Sequence, residues 1–349
     1  MPHMRGLLPW FGKVIAILAA CLPAIPASAA WTPVPSALDA AWDYSAANNG
    51  LSLLVIQHGR TLLERYADGD GPTKLHKIYS GTKGLWCVAA VAAQADGLLD
   101  LDDPVSDTLT EWRGRPDRDR ITIRQLLNFT AGIDPGFHLH SDDVADRDGY
   151  ALSLPEVAPP GDSFIYGPGQ IQLFCEVLRR KLARRTGETP WHYLERRVLH
   201  PLGLGSPPHK TDAMGNPLLA AGVQLTARQW SRFGLLLLHN GRGVLPSGAL
   251  SECLCGTRRN PAFGMGFWLN DQAPTGRIVN VEDNLEPKWY QEDWTAACLC
   301  PQAPRDLFVS LGSMGQRLYV IPSLDMVIVR LSNDSHFSDA DFLRLLLER

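Results

Sequence analysis

Short apolar runs of strand length lie near both ends of the chain, whereas apolar residues recur at helical spacing in between. The runs at 51–57 and 61–66, joined by His58-Gly59-Arg60, predict a β-hairpin. Later runs predict strands at 263–269, 307–309, 316–321 and 326–331. The pattern therefore places sheet-forming segments at the two ends of one chain.

The helical segments carry residues that commonly begin and end helices. Thr122 is a cap for a helix at 121–127, and Thr226 with Gln229 makes a capping box. Pro168 suits a first helical turn and Gly187 a helix end, so this helix is predicted from 168 to 186. The other helices are predicted at 36–49, 81–95, 190–199 and 226–239, and after Ser338.

This order of elements predicts an α+β fold for residues 30–349. The terminal segments, 30–84 and 261–349, are expected to form one antiparallel sheet flanked by helices. The segment 85–260 would be an inserted, mainly helical region. A cleft between the two regions is then the default place for a functional site.

Residues 1–29 have the character of an export signal. An apolar run at 14–25, too short to span a bilayer, follows Arg5 and Lys13 and precedes small residues that suit cleavage after Ala29. Residues 18–21 also resemble a lipobox, which would place a lipid on Cys21, and an uncleaved membrane anchor is a third interpretation. We expect an exported protein, either free in the periplasm or lipid-anchored at the envelope.

Composition narrows the classes of function. The 349 residues are 45% hydrophobic and 20% charged, which is typical of a globular chain with a large core. The net charge is −4 and there is no basic run, so nothing favours a nucleic-acid partner. No P-loop, dinucleotide fingerprint or G-x-S-x-G motif occurs either.

Two C-x-C pairs stand out among the seven cysteines: Cys253 with Cys255, and Cys298 with Cys300. Export would permit disulfides, and the spacing is not the C-x2-C of zinc sites. We therefore expect two disulfide bridges between the pairs. The alternatives are a four-sulfur metal site and unpaired buried thiols. The cysteines expected to be buried in helices are Cys87 and Cys175.

The tetrapeptide Ser80-Gly81-Thr82-Lys83 opens the apolar helix at 81–95. Residues three apart share one face of a helix, so Lys83 is expected beside Ser80. A serine hydroxyl needs a base within hydrogen-bond reach to become a nucleophile, and burial would lower the pKa of the lysine toward neutrality. The alternative is a serine that caps a helix, followed by a solvated lysine.

Other polar residues are less specific. Tyr166, just before the helix that Pro168 begins, can shuttle a proton if a lysine lies near, or can be a packing aromatic. The histidine- and aspartate-rich loop is expected to be solvated rather than a metal site; its members are His138, His140, Asp142 and Asp143.

Four segments together resemble the β-lactamase-related serine hydrolases, which include class C β-lactamases, low-molecular-weight penicillin-binding proteins and their esterase and amidase relatives. The segments are I-Y-S-G-T-K at 78–83, G-L-L-D-L-D-D-P-V at 97–105, I-T-I-R-Q-L-L-N-F-T-A-G at 121–132 and N-P-A-F-G-M-G-F-W at 260–268. The resemblance implies hydrolysis through an acyl-enzyme, without metal or cofactor, of a small-molecule or peptide substrate. It implies Ser80 as nucleophile, with Lys83 and Tyr166 moving its proton.

The chain departs from the family's pattern in two places. Pro168 stands where the Y-x-N motif has its asparagine, and proline offers neither a side-chain amide nor an N–H. The third motif, K-T-G or H-x-G, has no lysine or histidine at 308–315. The backbone at Ser310, Leu311 and Gly312 can still complete an oxyanion hole with the N–H of Ser80.

These departures shape the expected substrate. Without the cation of the third motif, an ester or amide that lacks a strictly required carboxylate fits best. β-Lactams or peptidoglycan peptides are the alternative, as is a non-catalytic binding module that kept the fold.

Overall fold

The computed structural model describes residues 31–270, 277–281, 294, 297–334 and 336–348. The described strands are β1 (Gly50–Gln57), β2 (Arg60–Tyr66), β3 (His76–Lys77), β4 (Gln224–Leu225), β5 (Trp268–Leu269), β6 (Arg277–Ile278), β7 (Ala297–Cys298), β8 (Phe308–Gly312), β9 (Gln316–Ile321) and β10 (Met326–Ser332). An antiparallel sheet runs in the order β2–β1–β10–β9–β8–β5, and β3 with β4 and β6 with β7 form small pairs. Because β1 pairs with β10, the two ends of the chain share one sheet, which confirms the predicted α+β fold.

The helices follow the predicted segments, except for α4, which lies at 147–153 where no helix was predicted. They are α1 (Pro35–Ala47), α2 (Thr82–Ala95), α3 (Ile123–Leu127), α4 (Arg147–Ser153), α5 (Pro168–Arg185), α6 (Pro190–Leu194), α7 (Ala227–Leu238) and α8 (Asp339–Leu346). The capping box before α7 is present: the hydroxyl of Thr226 accepts the N–H of Gln229, whose side chain accepts the N–H of Thr226. α6 is shorter than predicted, because a wider helical turn takes over at Glu195–Leu199.

Helices cover both faces of the large sheet. A Cβ added at Gly234 of α7 would lie 2.6 Å from Val327 Cγ1, so α7 packs closely on that face of β10. Arg330, three residues along the same strand, points to the other face and donates to Ser45 Oγ of α1 at 2.9 Å. α8 packs against α1 on that face. The sheet is therefore the central layer of the fold, with helices on both faces.

α2 is the helix that carries the serine motif into the core. Its residues from Thr82 to Ala93 are all buried, as expected for a helix that is apolar on every side. Lys83 is therefore buried because the helix that contains it is buried.

The predicted strand at 263–269 is wrong over most of its length, since only Trp268–Leu269 forms β5. Gly266 has φ 76°, and Gly264 N–H donates to Phe267 O at 3.0 Å, so the chain turns back on itself. The two glycines break the extended run that the apolar residues suggested.

The expected disulfides are also wrong, because all six cysteines in the described part of the chain are free. Cys298 Sγ lies 3.3 Å from Asn270 Oδ1, and Cys300 Sγ lies 3.8 Å from the carbonyl of Ala340. These thiols have local partners of their own. Cys87 and Cys175 are buried in helices, as predicted.

Candidate active site

Ser80 lies in a tight turn, Tyr79–Gly81, that leads directly into α2. Tyr79 has φ 43°, a left-handed conformation that is unfavourable for a tyrosine and marks a constrained backbone. The N–H of Ile78 donates to Val223 O at 3.1 Å, which fixes the entrance to the turn. A Cβ at Gly81 would lie 2.6 Å from the Trp230 ring, so only glycine allows this packing.

Lys83 lies one helical turn behind Ser80, as the spacing predicted. Its side chain is 2% exposed, and its Nζ lies 2.8 Å from Ser80 Oγ and 2.9 Å from the carbonyl of Ala220. Burial lowers the pKa of Lys83 to about 7. A substantial fraction of this lysine is therefore uncharged at neutral pH and able to accept the serine proton.

The pKa of Lys83 leads to a prediction about the pH dependence of activity. The uncharged amine is the active form of a base, so kcat/KM for a neutral ester should fall below pH 7 and level off above it. A pH profile from 5 to 9 should give an ascending limb with an apparent pKa of about 7. A rate that is constant across this range would show that Lys83 is not the base.

Tyr166 packs among aromatic rings and also lies beside Lys83. Its ring contacts Phe129, Phe263 and Trp268 with centroids 5.0, 5.8 and 5.8 Å away, so it is a packing aromatic. The same ring lies with its centroid 4.7 Å from Lys83 Nζ. The structure therefore brings Tyr166 to the Ser80–Lys83 pair.

Pro168 begins α5 in the first helical turn and carries no amide, as the sequence indicated. The second hydrogen bond of Lys83 goes instead to the backbone of Ala220, which the sequence analysis did not identify. Ala220 lies 137 residues from Lys83 along the chain, in a segment with no recognised motif. A backbone acceptor of this kind leaves no signal in the sequence.

β8 runs beside the serine turn. Ser310 Oγ donates to the carbonyl of Gly81 at 3.0 Å, so this side chain faces the start of α2. A Cβ at Gly312 would lie 2.1 Å from the carbonyl oxygen of Ile78, which makes glycine necessary for the close approach of the strand. Leu311, between them, is buried. The three predicted strand residues therefore position the backbone of β8 against the turn.

A buried arginine, Arg317, binds the carbonyl oxygen of the peptide unit that joins Gly312 to Ser313. Arg317 Nη1 donates to Gly312 O at 3.0 Å, and Arg317 itself pairs with Asp339 at 2.7 Å. In a trans peptide the C=O and N–H point in opposite directions, so the N–H of Ser313 is directed away from Arg317. Ser313 also lines the cleft that contains Ser80, one residue beyond the predicted strand positions.

Ser80 opens onto a cleft of about 580 Å³. The lining residues that bear on function are Lys77, Ser80, His140, His209, Lys210 and Gln224. The loop is exposed at His138, His140, Asp142 and Asp143, as predicted, but the place of His140 in the lining of the Ser80 cleft was missed. The sequence signal was there, a histidine in a polar loop, but no spacing related it to Ser80.

Both cleft histidines are neutral at pH 7. Although His140 is exposed, the loss of solvent around its ring in the cleft and the positive charges of Lys83 and Lys210 lower its pKa. The ring of His209 stacks on Trp191 with centroids 3.4 Å apart, and burial lowers the pKa of His209 as well. Neither ring contributes charge to the cleft.

The model of the Beta-lactamase family matches residues 36–348 of the chain. The chain belongs to the β-lactamase family. A 6-aminohexanoate-dimer hydrolase from Paenarthrobacter ureafaciens is 25% identical over 304 residues, covering 81% of this chain and 72% of that protein. The family assignment makes this chain a serine hydrolase of the β-lactamase type and agrees with the resemblance seen in its motifs.

Solved structures of the family share the fold. A class C β-lactamase from Rhodobacter sphaeroides has a TM-score of 0.66 and 19% identity, covering 89% of this chain and 98% of its own. A D-stereospecific amidohydrolase from Streptomyces sp. has a TM-score of 0.63 and 20% identity, covering 89% and 97%. At this level of identity the likeness concerns architecture alone.

The expected export signal and the lipid site at Cys21 lie outside the described residues. Within the described residues, no helix has the length and apolar character needed to cross a membrane.

Proposed function

We propose that this β-lactamase-family hydrolase is exported and cleaves an ester or amide through an acyl-enzyme on Ser80. The observation that carries the proposal is the 2.8 Å contact between Ser80 Oγ and a buried lysine whose pKa is lowered to about 7. Such a pair is an activated nucleophile with its base. Export rests on the signal-like character of residues 1–29.

The reaction follows from this arrangement. Ser80 Oγ bonds to the acyl carbon while its proton passes to Lys83 Nζ, and the N–H groups of Ser80 and Ser313 receive the oxyanion. The leaving oxygen or nitrogen takes a proton from Lys83, with Tyr166 beside it, as the acyl–leaving-group bond breaks. Water then attacks the acyl-enzyme, its proton returns through the same groups, and the acid is released with Ser80 restored.

β-Lactam hydrolysis is the second candidate. A β-lactamase from Pseudomonas fluorescens is 31% identical to this chain over 164 residues, 44% of each protein. Against it, β8 has no lysine or histidine at the third-motif position. A non-catalytic binding module is a further alternative, but it gives no reason for a lysine buried against a serine.

Turnover of chromogenic substrates separates these functions. We expect purified protein to hydrolyse 4-nitrophenyl butyrate, and to hydrolyse nitrocefin at least about 100-fold less efficiently, a difference of roughly 3 kcal/mol in transition-state binding. The Ser80→Ala variant is the control and should be inactive. Nitrocefin turnover equal to ester turnover would support the β-lactamase, and no Ser80-dependent turnover of either would refute the hydrolase.

A further inference from the structure

The lining of the Ser80 cleft has an uneven charge. Among the residues that line it are Lys77 and Lys210, and no aspartate or glutamate of the described residues is among them. Lys210 pairs with Asp142 at 2.6 Å, but that carboxylate is 94% exposed and does not line the cleft. No carboxylate in the described ranges forms an ion pair with Lys77.

The two lysines come from neighbouring extended segments that form one wall of the cleft. Lys77 of β3 lies opposite Gln224 of β4, and opposite residues of an antiparallel pair project from the same face. The segment 208–210 in turn pairs with 222–224, which includes the start of β4. Gln224 N–H donates to Pro208 O at 2.9 Å, and Lys210 N–H donates to Gly222 O at 3.0 Å. Lys77, Gln224 and Lys210 thus reach the cleft from three adjacent stretches of backbone.

The orientation of Lys210 is also fixed. Its Nζ donates to the carbonyl of His140 at 2.7 Å, and its side chain is 30% exposed. Because His140 and His209 are neutral at pH 7, the lysines supply the positive charge of the cleft lining. This wall offers the charged N–H donors of Lys77 and Lys210 along the surface where a substrate of Ser80 must lie. Within the described residues Lys77 has no ion-paired acid, and the acid paired with Lys210, Asp142, does not line the cleft.

We propose that Lys77 and Lys210 bind an anionic group, a carboxylate above all, on the substrate that Ser80 cleaves. The substrate class is then an ester or amide with a carboxylate remote from the scissile bond. This positive charge lies on a different part of the fold from the third-motif position on β8, namely on the wall built from β3, β4 and 208–210. This inference rests on the proposed function of Ser80 and adds the charge of its substrate.

The test compares esters that differ only in charge. One pair is 4-nitrophenyl hydrogen adipate and its neutral adipamate, with the anion on the acyl side; the other is 4-acetoxybenzoate and 4-acetoxybenzamide, with the anion on the leaving group. We expect the wild-type enzyme to prefer the anionic member of at least one pair by about tenfold or more in kcat/KM, after correction for uncatalysed hydrolysis. The preference should shrink as salt is raised to about 1 M, because exposed charges are screened.

Substitutions of the two lysines test whether they cause the preference for the anionic ester. Lys77→Ala should reduce the anionic-to-neutral ratio of kcat/KM about tenfold, and Lys77→Glu should invert it, because a negative charge would then face the substrate anion. Lys210→Gln should reduce the ratio as well. Lys74→Ala is the matched control: Lys74 is exposed three residues upstream and does not line the cleft, so the ratio should not change.

The possible results are distinct. Ser80-dependent turnover without preference for either anion, or a preference unaffected by both lysine substitutions, would overturn the inference and leave the proposed function standing. No Ser80-dependent turnover of any of the four esters would overturn both.

Discussion

Replacing Ser80 with alanine is expected to lower kcat/KM for an ester substrate by a factor of about 10⁴ or more, and replacing Lys83 with methionine should cost nearly as much. The two side chains act as a unit, since the nucleophile needs the base 2.8 Å away. Methionine fills a volume similar to that of lysine but accepts no proton. The measurement is steady-state hydrolysis of 4-nitrophenyl butyrate by both variants and by the Lys74→Ala control.

Thermal unfolding shows whether the Lys83→Met variant is still folded. The pKa of Lys83 is about 7 in the folded protein and 10.5 in the unfolded chain. Between pH 7 and pH 10.5 the folded protein therefore binds fewer protons at this lysine than the unfolded chain does. The cost of burying it is therefore present in full below pH 7 and fades as the pH rises toward 10.5. The variant should melt at the same or a higher temperature at pH 7. Near-normal turnover by a folded Lys83→Met protein would contradict the assigned base.

The second large effect is expected from Gly312→Ala. The added Cβ would lie 2.1 Å from the carbonyl oxygen of Ile78, well inside any real contact, so β8 must move away from the serine turn. Such a shift displaces the N–H of Ser313, and loss of one oxyanion donor typically costs about 10²–10³ in kcat. Kinetics of the folded variant, checked by circular dichroism, measure this loss.

Gly71→Ala is the matched control for this substitution. The structure places no heavy atom within 4 Å of a Cβ at Gly71, so the change should leave kcat unaltered. A Gly312→Ala enzyme with wild-type kcat would show that β8 does not hold the oxyanion donor near Ser80.

Local patterns in the sequence predicted the parts of the site that are close together on one element. Ser80 and Lys83 meet because residues three apart share a helix face, and an apolar helix around them predicts the burial that shifts the pKa. The shared sheet could likewise be predicted, because the strand-like runs lie at the two ends of the chain with a mainly helical segment between them.

The parts that depend on tertiary folding could not be predicted in this way. The carbonyl of Ala220 holds Lys83 from 137 residues away, and every residue has a carbonyl, so no letter in the sequence marks this one. His140 and Lys210 line the cleft only through the tertiary fold, Lys210 because its segment pairs with the backbone at Gly222. The absence of a cation on β8 was visible in the sequence, but the two lysines of the facing segments could be recognised only once β3 and β4 were seen to pair.

The central claim is that Ser80 is a nucleophile activated by Lys83, and covalent labelling tests it most directly. Intact-protein mass spectrometry after treatment with a fluorophosphonate, followed by peptide mapping, should show one adduct on Ser80. The adduct should be absent from Ser80→Ala and should form much more slowly in Lys83→Met. An unlabelled Ser80 in a folded wild-type protein, or an adduct on another residue alone, would contradict the account.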